Sequence, residues 1–234
     1  MEFIAAVSKA FEEGGIWMWV ILGVQLVSVA IIVERYIFLY RKNTVGEKKN
    51  ILKFEPGIRS GRLEEVKAEA GKLQTPVDHV VLAGAEAAMN WGGKDEIRGK
   101  MDEVLLDANS KYEERTGFLA VLANVATLTG LLGTVTGMIR AFVAVANANP
   151  MEKAALLSAG ISEAMNATAY GLIVAIPALV AFAVLADRGT RLSEDLNQAS
   201  LKVYNWLSFS YDPAQRSVDI DIPRKKKPQA VADI

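Results

Sequence analysis

The sequence predicts an all-α polytopic membrane protein with three transmembrane helices, the second and third extended into a cytoplasmic helical bundle. Three observations predict it. The chain is 51% hydrophobic yet 23% charged over 234 residues, and long apolar runs alternate with charge-dense segments. Three apolar runs reach the ~20 residues that a helix needs to cross a bilayer. Lys and Arg crowd into alternate connecting segments, the asymmetry that orients membrane proteins.

Residues 1–15, "MEFIAAVSKAFEEGG", carry three acids and one lysine, not the basic start of a signal peptide. Phe3, Ile4, Val7 and Phe11 share one side of a helix, so an amphipathic leader at the membrane surface and a frayed segment both fit. The first span covers 16–40. Trp17 and Trp19 open it and Tyr36 and Tyr40 close it, as aromatic residues favour both interfaces. Glu34 and Arg35 near its end read as an interfacial pair. Residues 41–116 form a helical region, with Ile97, Met101, Val104, Leu105, Ala108 and Tyr112 recurring at helical spacing. Breaks are expected at Pro56–Gly57, Thr75–Pro76 and Gly92–Gly93. The second span covers 117–146, a short loop 147–161 and the third span 162–186. An amphipathic helix over 187–211 follows, with Leu192, Leu196, Ala199, Val203, Trp206 and Leu207 on one stripe. No proline separates either inner helix from its span, so spans two and three are expected to run on unbroken. The tail, 212–234, has the composition of a disordered segment, and its "RKKK" run reads as a solvated tail or inside anchor.

Charge sets the direction. Fourteen Lys and Arg lie between Arg41 and Arg115 and eight after Asp187, against Lys9 in the leader and Lys153 in the 147–161 loop. The positive-inside rule then puts the N-terminus outside, 41–116 inside, the loop outside and the C-terminus inside. With no cysteine and His79 as the lone histidine, disulfides, thiolate chemistry and histidine-based metal clusters are excluded. No P-loop appears, so no cofactor is expected and an enzyme is the least favoured class. A net charge of -1 gives no sign of nucleic-acid binding. Three spans without an inverted repeat argue against a stand-alone solute transporter.

The polar content of spans two and three is the candidate site. In "NVATLTGLLGTVTGMIRAF", Asn124, Thr127 and Thr134 fall within a sector of about 80°, and Thr129 and Thr136 lie on another side. Gly130, Gly133 and Gly137 form a small-residue track that admits a neighbouring backbone. Threonine hydroxyls also bond back to carbonyls one turn earlier, so helix packing is the plainer account of each one alone. In span three, Ala164, Thr168, Gly171, Ala175 and Ala178 share a close-packing face. Glu163, Asn166, Tyr170 and Pro177 share another, and Pro177 removes a backbone donor inside the span. Glu163 and Thr168 stand about 140° apart on a straight helix. Two roles fit Glu163: an interfacial acid complementing the helix dipole, or a carboxylate on an ion path. Arg140 is expected to snorkel toward the interface, with pairing to Glu163 the lesser alternative. His79 reads as an ordinary surface or packed histidine.

Taken together, "TGLLGTVTGMIRAF", "GISEAMNATAYGLIVAIPALV" and "GGIWMWVIL...AIIVER" resemble the ExbB/TolQ branch of the MotA/TolQ/ExbB proton-channel family. The resemblance covers all three spans and the topology. It implies an inner-membrane homopentamer whose second and third spans line a central pore. It implies an ExbD/TolR-like single-span partner inside that pore, whose membrane aspartate carries protons. It further implies a TonB/TolA-like energy transducer, driven by proton-motive force, that serves outer-membrane transport or envelope maintenance. By position, Thr134 and Thr168 match the pore threonines and Glu163 the lumenal glutamate, with Thr127 and Asn166 joining the expected path. Gly130, Gly133, Gly137, Gly171 and Pro177 are the expected packing residues. Many relatives carry a proline where this chain has Thr127, so a bend there is expected to be missing or weaker. The alternatives are a flagellar or gliding stator, which four spans and a larger cytoplasmic region would suit better, and a non-conducting assembly scaffold.

Overall fold

The computed structural model describes residues 15–42, 51–72, 75–90 and 92–211. The leader before Gly15 and the tail after Tyr211, with its "RKKK" run, lie outside the described residues. Every regular element among the described residues is helical: α1 Gly15–Tyr36, closed by a π-helical segment Ile37–Lys42, then α2 Glu55–Arg59, α3 Leu63–Ala70, α4 Pro76–Met89, α5 Lys94–Glu113, α6 Thr116–Ala146 and α7 Lys153–Tyr211. Among the described residues, three stretches are long and apolar enough to cross a membrane: Gly15–Tyr40, Lys94–Ala146 and Lys153–Phe209. The described residues fall into two compact units, those within 15–42 and 111–192, and those within 51–110 and 193–211.

In the first unit, α6 and α7 pack antiparallel through small residues. A Cβ built on Gly133 would lie 2.5 Å from Cβ of Ala167, and one on Gly137 3.0 Å from Cβ of Ala164. A Cβ on Gly171 would lie 2.8 Å from the Ala126 carbonyl oxygen. Lipid tails are as apolar as leucine, so helices in a bilayer gain little from hydrophobic burial; close backbone approach supplies dispersion contacts instead. The α1 helix adds Ile21 to a core of Ala123, Ala126, Val174, Ala175 and Ala178, with Val24 and Tyr170 packed against it. Leu26, Val27, Leu128, Leu131, Ile173 and Val180 remain exposed, which suits lipid or another protein chain.

The C-terminal end of α1 departs from expectation. Glu34 and Arg35 do not pair with each other. Arg35 is 3% exposed and donates to the carbonyls of Lys111, at 3.1 Å, and Tyr112. These carbonyls belong to the last turn of α5, Lys94–Glu113, where a cationic donor is favourable. Glu34 instead takes Arg115 at 2.6 Å. Arg115 is left-handed, with φ 58°, so the expected unbroken run into span two is interrupted between α5 and α6. The sequence there, "YEERTGF", has no proline, and the two carbonyls just before the break accept from Arg35, 76 and 77 positions away. By contrast α7 continues for 59 residues, with Pro177 inside it.

The 147–161 loop is shorter than expected. Helix resumes at Lys153, so residues 153–161 are helical and the connection is residues 147–152. "KAALLSAG" is rich in strong helix formers, and a membrane boundary is not a helix boundary.

In the second unit, Ile97 and Met101 of α5 and Leu196, Ala199, Val203 and Leu207 of α7 are buried. Gly84 of α4 faces both Met101 and Leu207. Thr75 caps α4 reciprocally with Asp78, and Pro76 opens the helix, a capping box at the expected break. Gly92 and Gly93 lie between α4 and α5. The expected break at Pro56–Gly57 is absent, because both residues sit inside α2, with Pro56 in its first turn. A first-turn proline lacks only an N–H that would have had no helical partner. The chain turns instead at Gly61, φ 81°, a conformation that glycine adopts without strain. His79 is exposed.

Candidate functional site

The site is built where α6 and α7 touch. The Thr134 and Thr168 hydroxyls meet across the helix contact. Thr168 Oγ1 donates to the Gly130 carbonyl at 2.9 Å. Thr134 Oγ1 also lies 3.3 Å from the carbonyls of Gly130 and Ala164. A hydroxyl donates one proton and accepts at two lone pairs. One consistent arrangement has Thr168 donating to Gly130 and Thr134 donating to Thr168. This contact exists because Gly130 brings the α6 backbone within reach: a Cβ there would stand 3.2 Å from Cα of Thr168.

The two polar faces of α7 have different neighbours. The Thr168 face meets α6. The Glu163 face meets α1: the Tyr170 hydroxyl donates to Gln25 Oε1, and Glu163 Oε1 lies only 2.4 Å from where a Cβ on Gly15 would sit. Gly15 has φ 69° and opens α1, so its missing side chain makes room for the carboxylate. On the other side, Arg140 Nη1 of α6 lies 3.3 Å from Glu163 Oε1. The ion pair, given above as the lesser alternative to snorkelling, is therefore the arrangement the arginine adopts. A cleft of about 750 Å³ opens here, lined by Arg140, Ala144, Leu156, Ser158, Ser162 and Glu163 among others.

The expected path residues thus divide. Thr134 joins Thr168, and Glu163 joins Arg140. Thr127 joins neither pair; its hydroxyl bonds back to the Ala123 carbonyl at 3.0 Å, and its side chain is otherwise exposed. Asn166 is half-buried and Pro177 exposed, and neither takes part in these two contacts. Among the described residues no group of three or more His, Cys, Asp or Glu is placed to hold a metal ion.

Sequence reasoning missed several contacts. Trp17 Nε1–H donates to Thr136 Oγ1 at 2.7 Å, so Trp17 docks on α6 besides opening its span. Gln25 is a second case, its Oε1 accepting from the Tyr170 hydroxyl. A side-chain amide or an indole N–H inside an apolar run needs a polar partner in the membrane, and that need is the signal the sequence offers. Gly160 continues the packing face four residues before Ala164; a Cβ on it would lie 2.3 Å from Cβ of Ala141.

Comparison with known proteins adds three findings. Residues 72–198 match the family model described as "MotA/TolQ/ExbB proton channel family". "Biopolymer transport protein ExbB" of Pseudomonas putida is 29% identical over 152 residues, 63% of this chain and 46% of that protein. "Tol-Pal system protein TolQ" of Haemophilus influenzae is 38% identical over 102 residues, 42% of this chain and 44% of that protein. The chain therefore spans a little under half the length of each of these relatives. Among solved structures, C. jejuni MotAB has a similar fold, with a TM-score of 0.63 at 16% identity, over 96% of this chain and 94% of that one.

Proposed function

This chain belongs to the MotA/TolQ/ExbB proton channel family, and on that premise we propose that it is an inner-membrane proton-channel and motor-scaffold subunit. It assembles as a homopentamer around an ExbD/TolR-like single-span partner and passes proton-motive force to a TonB/TolA-like transducer. The N-terminus is periplasmic and the C-terminus cytoplasmic. The observation that carries this reading is the Thr134–Thr168 hydroxyl pair inside a glycine-lined contact of two apolar helices. Hydroxyls both donate and accept, so a polar, uncharged pair can pass or solvate a proton while the cycling acid belongs to the partner. Glu163, fixed by Arg140, sets the field at the outer end of the path. The small-residue track keeps α6 and α7 moving as one body, as a motor scaffold requires.

A second reading has its own support. The threonine hydroxyls are already engaged with each other and with the Gly130 carbonyl, which is what a non-conducting scaffold would also show. One experiment separates the two. The chain is reconstituted with its partner in liposomes and proton flux is followed by a pH-sensitive dye. Thr134→Ala and Thr168→Ala are expected to lower flux about tenfold, the equivalent of ~1.4 kcal/mol in the barrier, and Thr134→Ser to retain it. Full flux in both alanine variants and in Glu163→Ala would sink the path through these residues, and no flux above protein-free liposomes in the unsubstituted complex would leave the non-conducting scaffold.

A further inference from the structure

The cleft beside Glu163 holds one cation and one anion in contact. Among the described residues, Arg140 and Glu163 are the charged ones that line it. Their side chains are 60% and 28% exposed, with Nη1 and Oε1 3.3 Å apart. The carboxylate is held from two sides, by the guanidinium of α6 and by the opening of α1 at Gly15. The remaining lining is uncharged: Ser158 and Ser162 with alanine, glycine and leucine.

We propose that Arg140 is a positioning and selectivity residue that fixes the Glu163 carboxylate and cancels its charge, so that the cleft is electrically neutral and does not concentrate metal cations at the outer mouth. An uncompensated carboxylate facing a cleft is an attractive site for hydrated sodium or potassium, because local potential raises counter-ion concentration. The paired arginine removes that attraction, and a proton carrier then meets little competition from alkali cations. The meaning for ion choice rests on the proton-path reading above; the charge assignment does not.

The absence of cysteine in this chain makes the charge directly measurable. Ser158→Cys and Ser162→Cys each place one thiol in the cleft of the purified full chain. Cationic and anionic methanethiosulfonate reagents of similar size are compared by their rates of reaction with it. In either background the cation-to-anion rate ratio is expected to match that of a free thiol. Arg140→Gln is expected to raise the ratio about fourfold at low ionic strength, where a unit charge ~8 Å away is weakly screened. Glu163→Gln is expected to lower it by a similar factor. Arg140→Lys and the double Arg140→Gln/Glu163→Gln are expected to leave it near the starting value. An unchanged ratio in both single Gln variants would overturn the proposal, as would a ratio in the unsubstituted cleft already strongly favouring cations. Because no proton flux enters the measurement, its failure and failure of the proton-path reading are told apart.

Discussion

Gly133→Ala tests whether α6–α7 contact holds the threonine pair together. The new Cβ would stand 2.5 Å from Cβ of Ala167, whereas non-bonded carbons prefer about 3.5–4.0 Å. Relieving the clash by separating the helices takes about 1 Å of movement. That stretches the 2.9 Å bond from Thr168 to the Gly130 carbonyl to ~3.9 Å, beyond hydrogen-bonding range. Overpacking costs ~1–3 kcal/mol, and a hydrogen bond between membrane helices averages ~0.6 kcal/mol, with values up to ~1.7. Replacing glycine inside a helix returns about 1 kcal/mol of propensity, so the net loss is about 1–3 kcal/mol. The assay is unfolding of the detergent-solubilised chain by increasing dodecyl sulfate, followed by circular dichroism. The contact is one methyl against another, so Ala167→Gly should rescue. Alone, Ala167→Gly is expected to cost about 1 kcal/mol through helix propensity; in the double variant it should recover most of the Gly133→Ala loss. Two results would refute this reasoning: Gly133→Ala within about 0.5 kcal/mol of the parent, or a double variant in which the two costs simply add.

Three further outcomes are expected. Arg35→Met removes the guanidinium that donates to the Lys111 and Tyr112 carbonyls; the expected loss is about 1.5–3 kcal/mol, that of a hydrogen bond to a charged group, and limited trypsin digestion should show faster cleavage after Arg115; Arg35→Lys should rescue only partly, since an ammonium lacks the planar fork of guanidinium. Arg115→Gly relieves a left-handed non-glycine residue but loses the exposed pair with Glu34, and the opposing effects, each about 1 kcal/mol or less, should leave stability within ~0.5 kcal/mol of the parent in the same unfolding assay. Tyr170→Phe removes the hydroxyl that Gln25 accepts; the expected loss is about 0.6–1.7 kcal/mol, and Gln25→Leu added to it should cost little more because the pair is already broken.

The helical class, the three spans and the small-residue faces are legible in the amino-acid order alone. These depend on composition and on a fixed rotation per residue, both of which are local. Ala164, Thr168, Gly171, Ala175 and Ala178 could be placed on one side of a helix from spacing alone, and Gly160 extends the same pattern. Their neighbour could not be assigned from spacing. A helical wheel says that Glu163 and Thr168 diverge; it carries no information on which helix lies opposite each. Only the tertiary structure decided that Thr168 faces α6 while Glu163 and Tyr170 face α1. It also decided that Arg140 pairs with Glu163 and that Arg35 closes the end of α5 instead of pairing with its sequence neighbour. A charge in an apolar setting must find a partner. Adjacency along the chain does not choose it, because successive residues on a helix point about 100° apart, and the partner is whatever group the fold brings to that side.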